Sequence, residues 1–507
     1  MRRRALLASL GVATLSGCSG LLAERGDTTQ TTERDTTTTT TEVTETTTET
    51  TETDDEGGDG EEREWPPSAS IVDLQTGPRT LALAPLQYRS NDGAEVTVEF
   101  AATATADRPA TVRATLTNAN DYENTFRLNE TPPFNEVPSA RLRDRSDLTY
   151  ESTWYLVPTA NHDLVEDDPD FGRGPEGYWR LVGNPGPEPP RTVRLKPDET
   201  VEGEYVLLGH AEGSGRPTGS YEFRGYDDTD LTITAWETGA PGPKDASRFE
   251  GASPPSLSPE SDDSGGTKWY HDAGPETPVY LEPSTERART PAKIDFTFRN
   301  FAREPAKGNP YHWVLYKFHD GEWFHVAPWG WPAPMGSVRP GGTEDWTLYA
   351  FGEDGVRVEG GSTVGFLGGG RYAFEVGMSL GKNSHAATFE LVGEASTVEP
   401  MPGAESSRDG ATVTVDAPDP DRDQRSGALR LTRTDAADER LISEQVMQRR
   451  FRALRNGLPF FESGVEEVVV ETTENAAQRV TGYDADVRRF RFDGRAYEAR
   501  YEAGPDE

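Results

Sequence analysis

One block of turn and strand occurs twice in this chain, and the duplication restricts the fold more than any other feature. Leu195-Lys196-Pro197-Asp198-Glu199-Thr200 leads into the apolar run Tyr205 to Gly209 and then Gly219-Ser220-Tyr221-Glu222-Phe223. The same order returns as Val338-Arg339-Pro340-Gly341-Gly342-Thr343, Leu348 to Gly352 and Gly370-Arg371-Tyr372-Ala373-Phe374. Upstream, Pro109-Ala110-Thr111-Val112 with Thr117-Asn118 matches Pro291-Ala292-Lys293-Ile294 with Arg299-Asn300. Each copy reads as strand, Asn turn, hairpin, Pro turn, strand, Gly-x-Tyr-x-Phe strand and final strand. Side chains alternate across a strand, so short alternating runs between Gly, Pro, Asn and Asp predict antiparallel sheets that each bury one face.

The duplicated unit sets the domain plan. Residues 65–239 and 268–395 are expected to be β-sandwiches, joined by a linker at 240–267 that is rich in Pro, Ser, Gly and Asp. A second linker, 396–410, precedes a different unit at 411–503. There Thr412 to Val415, Leu429 to Thr432 and Val465 to Glu471 read as strands, while Asp435 to Asn456 reads as one helix with Met447, Phe451, Leu454 and Leu458 on a single face and Gly457 at its end. Arg489 to Phe492, Asp493-Gly494 and Arg495 to Glu498 form a two-residue hairpin. The fold class expected is mainly β: two tandem sandwiches followed by a small α+β domain. The two sandwiches resemble the immunoglobulin-like domains of exported bacterial and archaeal lipoproteins, in which a Pro-Gly turn precedes a Gly-Tyr-x-Phe strand. They lack the two core cysteines of antibody domains, and a jelly roll of similar strand count is the alternative.

The amino terminus carries an address. Arg2, Arg3 and Arg4 precede an apolar run, Ala5 to Leu15, and then Leu15-Ser16-Gly17-Cys18. These are the charged, apolar and small-residue parts of an export signal, and the run is too short to span a bilayer. Arg3-Arg4-Ala5-Leu6-Leu7 resembles the twin-arginine signature, and Leu-Ser-Gly-Cys resembles a lipobox. The resemblance implies a signal peptide at 1–17, a lipid on Cys18 and a mature protein held on the extracellular face of the cell membrane. A two-chain lipid is enough for stable attachment. Residues 18–64 follow as a stalk made almost wholly of Thr, Glu and Asp, which cannot bury enough surface to offset ordering entropy and suits O-glycosylation.

Cys18 is the only cysteine, so the exported part forms no internal disulfide and no thiolate site. The formal charge is −37, and seven lysines stand against forty-four arginines. Residues 65–507 alone carry −28, so the acidity is global and fits a halophile, whose carboxylates keep the chain hydrated when the screening length falls to about 3 Å at 1 M salt. Together with the address, this resembles an exported lipoprotein of a halophilic archaeon. Nucleic acid, which demands a basic face, is excluded as a partner.

Constellations for chemistry are sparse. No nucleophile elbow, phosphate loop, dinucleotide fingerprint or His-Glu-x-x-His helix occurs, so the expectation is a non-enzymatic protein without cofactors or metal. His312, His319 and His325 lie close in sequence, but a two-residue turn at Asp320-Gly321 puts His319 on the opposite sheet face from the other two. Asp419 to Asp423 and Glu166 to Asp170 are acidic enough for calcium, although the first lacks the Gly and Glu of a calcium loop. Asn129-Glu130-Thr131 is an N-glycosylation sequon. The densest signal is aromatic: Trp323, Trp329 and Trp331 in a Pro- and Gly-rich setting. Exposed, they suit stacking on sugar rings or packing against a protein partner; buried, they cover the end of the sandwich. The functional expectation is therefore a surface module that binds envelope glycan or a surface protein. Its alternatives are a solute-capturing lipoprotein and an extracellular hydrolase.

Overall fold

The computed structural model describes residues 67–135, 139–141, 152–183, 186, 188–213, 215–225, 230–257, 265–417, 426–483 and 485–503. Arg3, Arg4, Cys18, the threonine-rich stretch and Asp419 to Asp423 lie outside them. Residues 65–507 form one compact unit containing three large hydrophobic cores. The protein is mainly β, as the alternating runs require.

In the second sandwich, one sheet orders its strands Val279–Pro283, Ala292–Asn300, Gly342–Ala350 and Ser362–Val364. The facing sheet runs Thr267–Trp269, Ser384–Val392, Gly370–Ser379, Ala306–His319 and Glu322–Ala327. The two sheets enclose one shared hydrophobic core, as in a β-sandwich. Arg287–Arg289 then adds in parallel to Ser384–Val392. Between the sheets Phe296 stacks on Phe374 at 4.1 Å, and Trp313 stacks on the other side of the pair at 5.4 Å from Phe374. Such pairs add about 0.5–1.5 kcal/mol each beyond the area they bury.

The first sandwich keeps the same central strands: Ala94–Ala102, Ala110–Asn118 and Thr200–Gly209 on one side, Gly219–Phe223 and Leu231–Glu237 on the other. A hairpin of Ser70–Asp73 and Arg79–Ala84 extends the second sheet beside Leu231–Glu237. The repeated Asn explains itself here. Asn118 and Asn300 are both fully buried. Asn118 Nδ2 donates to the carbonyls of Tyr122 and Leu195, and Asn300 Nδ2 donates to those of Glu304 and Val338. Their Oδ1 atoms accept from the N–H of Asn120 and Ala302. Each Asn thus ties the end of its strand to the Pro turn, where Asp198 and Gly341 occupy the equivalent left-handed position at φ 61° and 74°. A side chain with one acceptor and two donors suits this set of backbone groups, and an apolar residue would leave them unpaired.

The C-terminal unit is a seven-stranded mixed sheet, ordered Glu405–Asp409, Thr412–Asp416, Glu467–Thr473, Ser426–Thr434, Arg495–Ala503, Val487–Phe492 and Glu439–Arg440. One face buries Val413, Leu429, Val468 and Tyr497 under helical segments. The other carries ions, with Arg430 bridging Glu467 and Glu502. The single helix expected over 435–456 is not formed. Residues 439–440 pair with the sheet edge, α1 covers only Ser443–Val446, and α2 covers Arg452–Gly457 after a 3-10 turn at Arg449–Phe451. Gln448, with ψ at 153°, breaks the path. Its side chain donates both back to the carbonyl of Glu444 in α1 and across to that of Gly365 in the second sandwich. A further helix, α3 at Glu474–Thr481, starts from Thr473, whose hydroxyl accepts from the N–H of Ala476.

Neither linker is a free tether throughout. Glu405–Asp409 is an edge strand, which shortens the connection expected at 396–410. The described part of 240–267 lies along the second sandwich: Ser247 and Arg248 N–H bind Glu286, Leu257 is buried beside Trp269, and the carbonyl of Pro255 accepts from Trp323. The physical reason is that isolated apolar and aromatic residues in the linkers have apolar sheet faces within reach to cover.

Candidate binding surface

The aromatic segment begins with the hairpin of Ala306–His319 and Glu322–Ala327. Asp320 at φ 48° and Gly321 at φ 88° make a two-residue turn with both central residues left-handed, which matches the strand twist and sets the register. Tyr316 therefore opposes His325, and His319 opposes Glu322. His319 faces away, beside Asp320. His312 and His325 lie within electrostatic reach of each other, but each is engaged by a tryptophan: His312 meets Trp331 at 4.0 Å, and His325 stacks on Trp329 at 4.2 Å. Among the described residues no group of three His, Asp or Glu is placed to hold a metal ion.

The loop after the hairpin, residues 328–335, is fastened rather than loose. The carbonyl of Pro328 binds His325 Nε2 at 2.7 Å, and that of Pro332 accepts from Asn309 Nδ2 at 2.6 Å. Trp346 Nε1 donates to the carbonyl of Pro310 beneath it. On this frame four large apolar side chains remain in solvent: Tyr311 is 58% exposed, Trp329 40%, Trp331 39% and Met335 79%. Half of the large, exposed apolar side chains among the described residues thus fall within Tyr311 to Met335. Burial pulls the pKa of both His312 and His325 below the ordinary imidazole value.

The three candidate tryptophans do not form one platform. Trp323 is half-buried, stacked on Trp269 at 5.8 Å and roofed by the linker at Pro255. Trp329 meets the C-terminal unit: Arg450 Cζ lies 4.6 Å from its ring centre, and Phe451 meets it edge-on at 5.5 Å. Trp331, 39% exposed, has His312 against its ring. No reading of the linear sequence pairs Trp329 with Arg450 or Phe451; the only local signal was the spacing of apolar residues that marked Phe451 for a core.

The same junction contains a buried ion pair. Lys317 Nζ lies 3.2 Å from Glu444 Oε1, and it also donates to the carbonyls of Gly369 at 2.6 Å and Gly368 at 3.2 Å. Burial lowers the Lys317 pKa, and Glu444 opposes that shift. Gln445 Nε2 donates to the carbonyl of His325, Arg440 pairs with Asp320, and Arg455 stacks on Phe366 at 4.5 Å. The C-terminal unit is therefore seated on the second sandwich by directional contacts.

A second concavity lies between the two sandwiches. Asp73, Thr80, Trp236, Thr238, Glu276, Phe301 and Arg303 line a cleft of about 380 Å³. Trp236 and Phe301 meet across it at 5.4 Å, Arg303 pairs with Asp73, and Thr80 Oγ1 donates to Asp73 at 2.7 Å.

The remaining sequence candidates have separate places. Asn129 is exposed in a 3-10 turn, while the hydroxyl of its sequon partner Thr131 is buried and donates to the carbonyl of Arg127. In the acidic stretch Glu166 to Asp170, Asp168 accepts from the N–H of Ala160, a local turn contact. No helix among the described residues is long and apolar enough to cross a membrane.

No protein-family model matches the chain, and no curated protein matches it. Among solved structures it is similar to a polysaccharide lyase, at 9% identity and a TM-score of 0.12, over 63% of this chain and 36% of that one. It is also similar to the alpha-2-macroglobulin of Escherichia coli. The elastase-activated form gives 13% identity and a TM-score of 0.15 over 70% and 28% of the two chains. The native form gives 10% and 0.14 over 86% and 31%. This chain spans about a third of the length of these structures, and likenesses at such TM-scores carry no argument about what it does.

Proposed function

We propose that this is a lipid-anchored cell-surface protein whose β-sandwiches present a non-enzymatic binding surface to an envelope glycan or surface protein. The observation that carries the reading is a set of exposed apolar side chains, Tyr311 on the strand Ala306–His319 and Trp329, Trp331 and Met335 on the loop after the hairpin, which hydrogen bonds hold in place. A large apolar surface kept out of the core has no stabilising role of its own, whereas a rigid aromatic surface loses little entropy on binding. Attachment through Cys18 would hold this surface outside the membrane.

Sedimentation of the full-length protein with purified cell envelopes tests the reading. Replacing Trp331 by Ala should remove most binding while leaving the thermal midpoint within a few degrees, since the side chain is 39% exposed and belongs to none of the hydrophobic cores. Unchanged binding by both Trp331→Ala and Tyr311→Ala would refute it.

A second reading is favoured by the cleft at Asp73, Trp236, Phe301 and Arg303. A small solute held there would make the protein a capture lipoprotein. Its signature is a rise in thermal midpoint with one small molecule that is abolished by Trp236→Ala.

A further inference from the structure

Within a chain of charge −37, the region where the C-terminal unit meets the tryptophan loop is locally basic. Arg450 has its guanidinium 4.6 Å from the Trp329 ring centre and 5.9 Å from that of Phe451. Its Nε is buried without a hydrogen-bond partner. Arg488 stacks on the same Phe451 at 5.1 Å. The charged neighbours of Arg450 are Arg488 and Arg479, with the phenol of Tyr483. Among the described residues, Arg488 has a carboxylate partner, Glu439, while Arg450 and Arg479 have none. Other arginines of this unit pair with carboxylates: Arg430 with Glu467 and Glu502, Arg440 with Asp320, Arg489 and Arg500 with Glu498. Helix α3, which carries Arg479, packs on the Arg449–Phe451 turn, so the cluster belongs to one surface. Tyr483 at its edge is 66% exposed.

Placing three guanidiniums beside a single carboxylate among the described residues costs stability, because each guanidinium loses water and gains a repulsive neighbour. An anion would reverse the sign of that term. Carboxylate and sulfate groups match the planar guanidinium fork, and the adjoining indole and phenol edges suit the apolar faces of sugar rings. We propose that the surface bounded by Trp329, Arg450, Arg479 and Tyr483 binds an acidic glycan, a polymer of sugars bearing carboxylate or sulfate groups. The assignment rests on the glycan-binding reading and names its ligand class. Arg450 and Arg479 supply charge, Trp329 and Tyr483 supply stacking edges, and the global acidity of the remaining surface repels polyanions that do not fit.

The test uses the full-length protein with four defined polymers: polygalacturonate, dextran sulfate, neutral dextran and poly-L-glutamate, with affinity read by calorimetry at low and high salt. At least one of the acidic glycans should bind at least tenfold more tightly than dextran, and the preference between them identifies the anionic group. Arg479→Glu, a surface change, should weaken that binding at least tenfold with the thermal midpoint retained, and Arg450→Gln should do the same. Equal binding of neutral dextran, or no effect of Arg479→Glu, overturns the proposal. So does poly-L-glutamate binding as tightly as the acidic glycans and insensitive to Trp329→Ala, because that result identifies an acidic peptide as the ligand. If the arginine variants keep envelope sedimentation and Trp331→Ala loses it, the acidic class fails while the aromatic reading stands; if none of them changes it, both fail.

Discussion

Glu444→Gln is the sharpest probe of how the C-terminal unit is held. In the native protein Lys317 and Glu444 are both buried, 3.2 Å apart, at the junction with the second sandwich. Removing one member of such a pair typically costs about 3–5 kcal/mol, because a charge is left buried and uncompensated. Lys317 keeps the carbonyls of Gly368 and Gly369, the Tyr372 hydroxyl at 3.2 Å and the Tyr372 ring face at 4.3 Å. These neutral partners place the expected loss at the lower end, about 3 kcal/mol. The double variant Lys317→Met with Glu444→Leu removes both charges and should return to within about 1 kcal/mol of the parent. Arg500→Ala, which breaks a half-exposed pair with Glu498, should cost less than about 1 kcal/mol. Denaturant titration at fixed salt, followed by tryptophan fluorescence, measures all three. A loss from Glu444→Gln no larger than that from Arg500→Ala would refute the reasoning, as would a double variant no more stable than the single one.

Further outcomes follow from other buried groups. Asn300→Ala should destabilise by about 2–4 kcal/mol, since two carbonyls and the Ala302 N–H lose their partner, and Asn118→Ala should do the same in the first sandwich; denaturant unfolding checks both. His385 is buried beside Phe298, with its pKa lowered to about 4 by burial. The folded state holds it neutral while the unfolded chain takes up a proton near pH 6.5, so its contribution is complete above about pH 6.5 and is lost as the pH falls toward 4. The full swing is about 3 kcal/mol, and the stability difference between parent and His385→Gln should shrink by about that amount over this window. A pH-independent difference would refute the assignment. Cys18→Ser should move the protein from the membrane fraction to the medium without changing its far-ultraviolet spectrum, checked by fractionation and lipid labelling.

Much of the fold was legible because its determinants are local. Alternating runs mark strands, and Asp320-Gly321 and Asp493-Gly494 set hairpin registers through left-handed turn residues. The helix expected over 435–456 failed for a tertiary reason. Periodicity in Met447, Phe451 and Leu454 was real, and all three are buried, but the sheet edge took residues 439–440 and the second sandwich took the Gln448 side chain. Helix α3 was missed because its buried face is made of the small residues Ala476, Ala477, Val480 and Thr481 over only eight positions, and its cap at Thr473 is a single hydroxyl.

What the residues alone determined, then, is the β class, the repeated order of strands and turns and the single cysteine, since each depends on short-range geometry or on composition. Tertiary structure decided the rest: that Trp323 is roofed by a linker, that Trp329 meets Arg450 and Phe451 from more than a hundred residues away in the chain, and that Arg450 has Arg479 and Arg488 as charged neighbours. Packing between units depends on which faces meet, and that depends on side chains distant in sequence whose complementarity leaves no periodic trace.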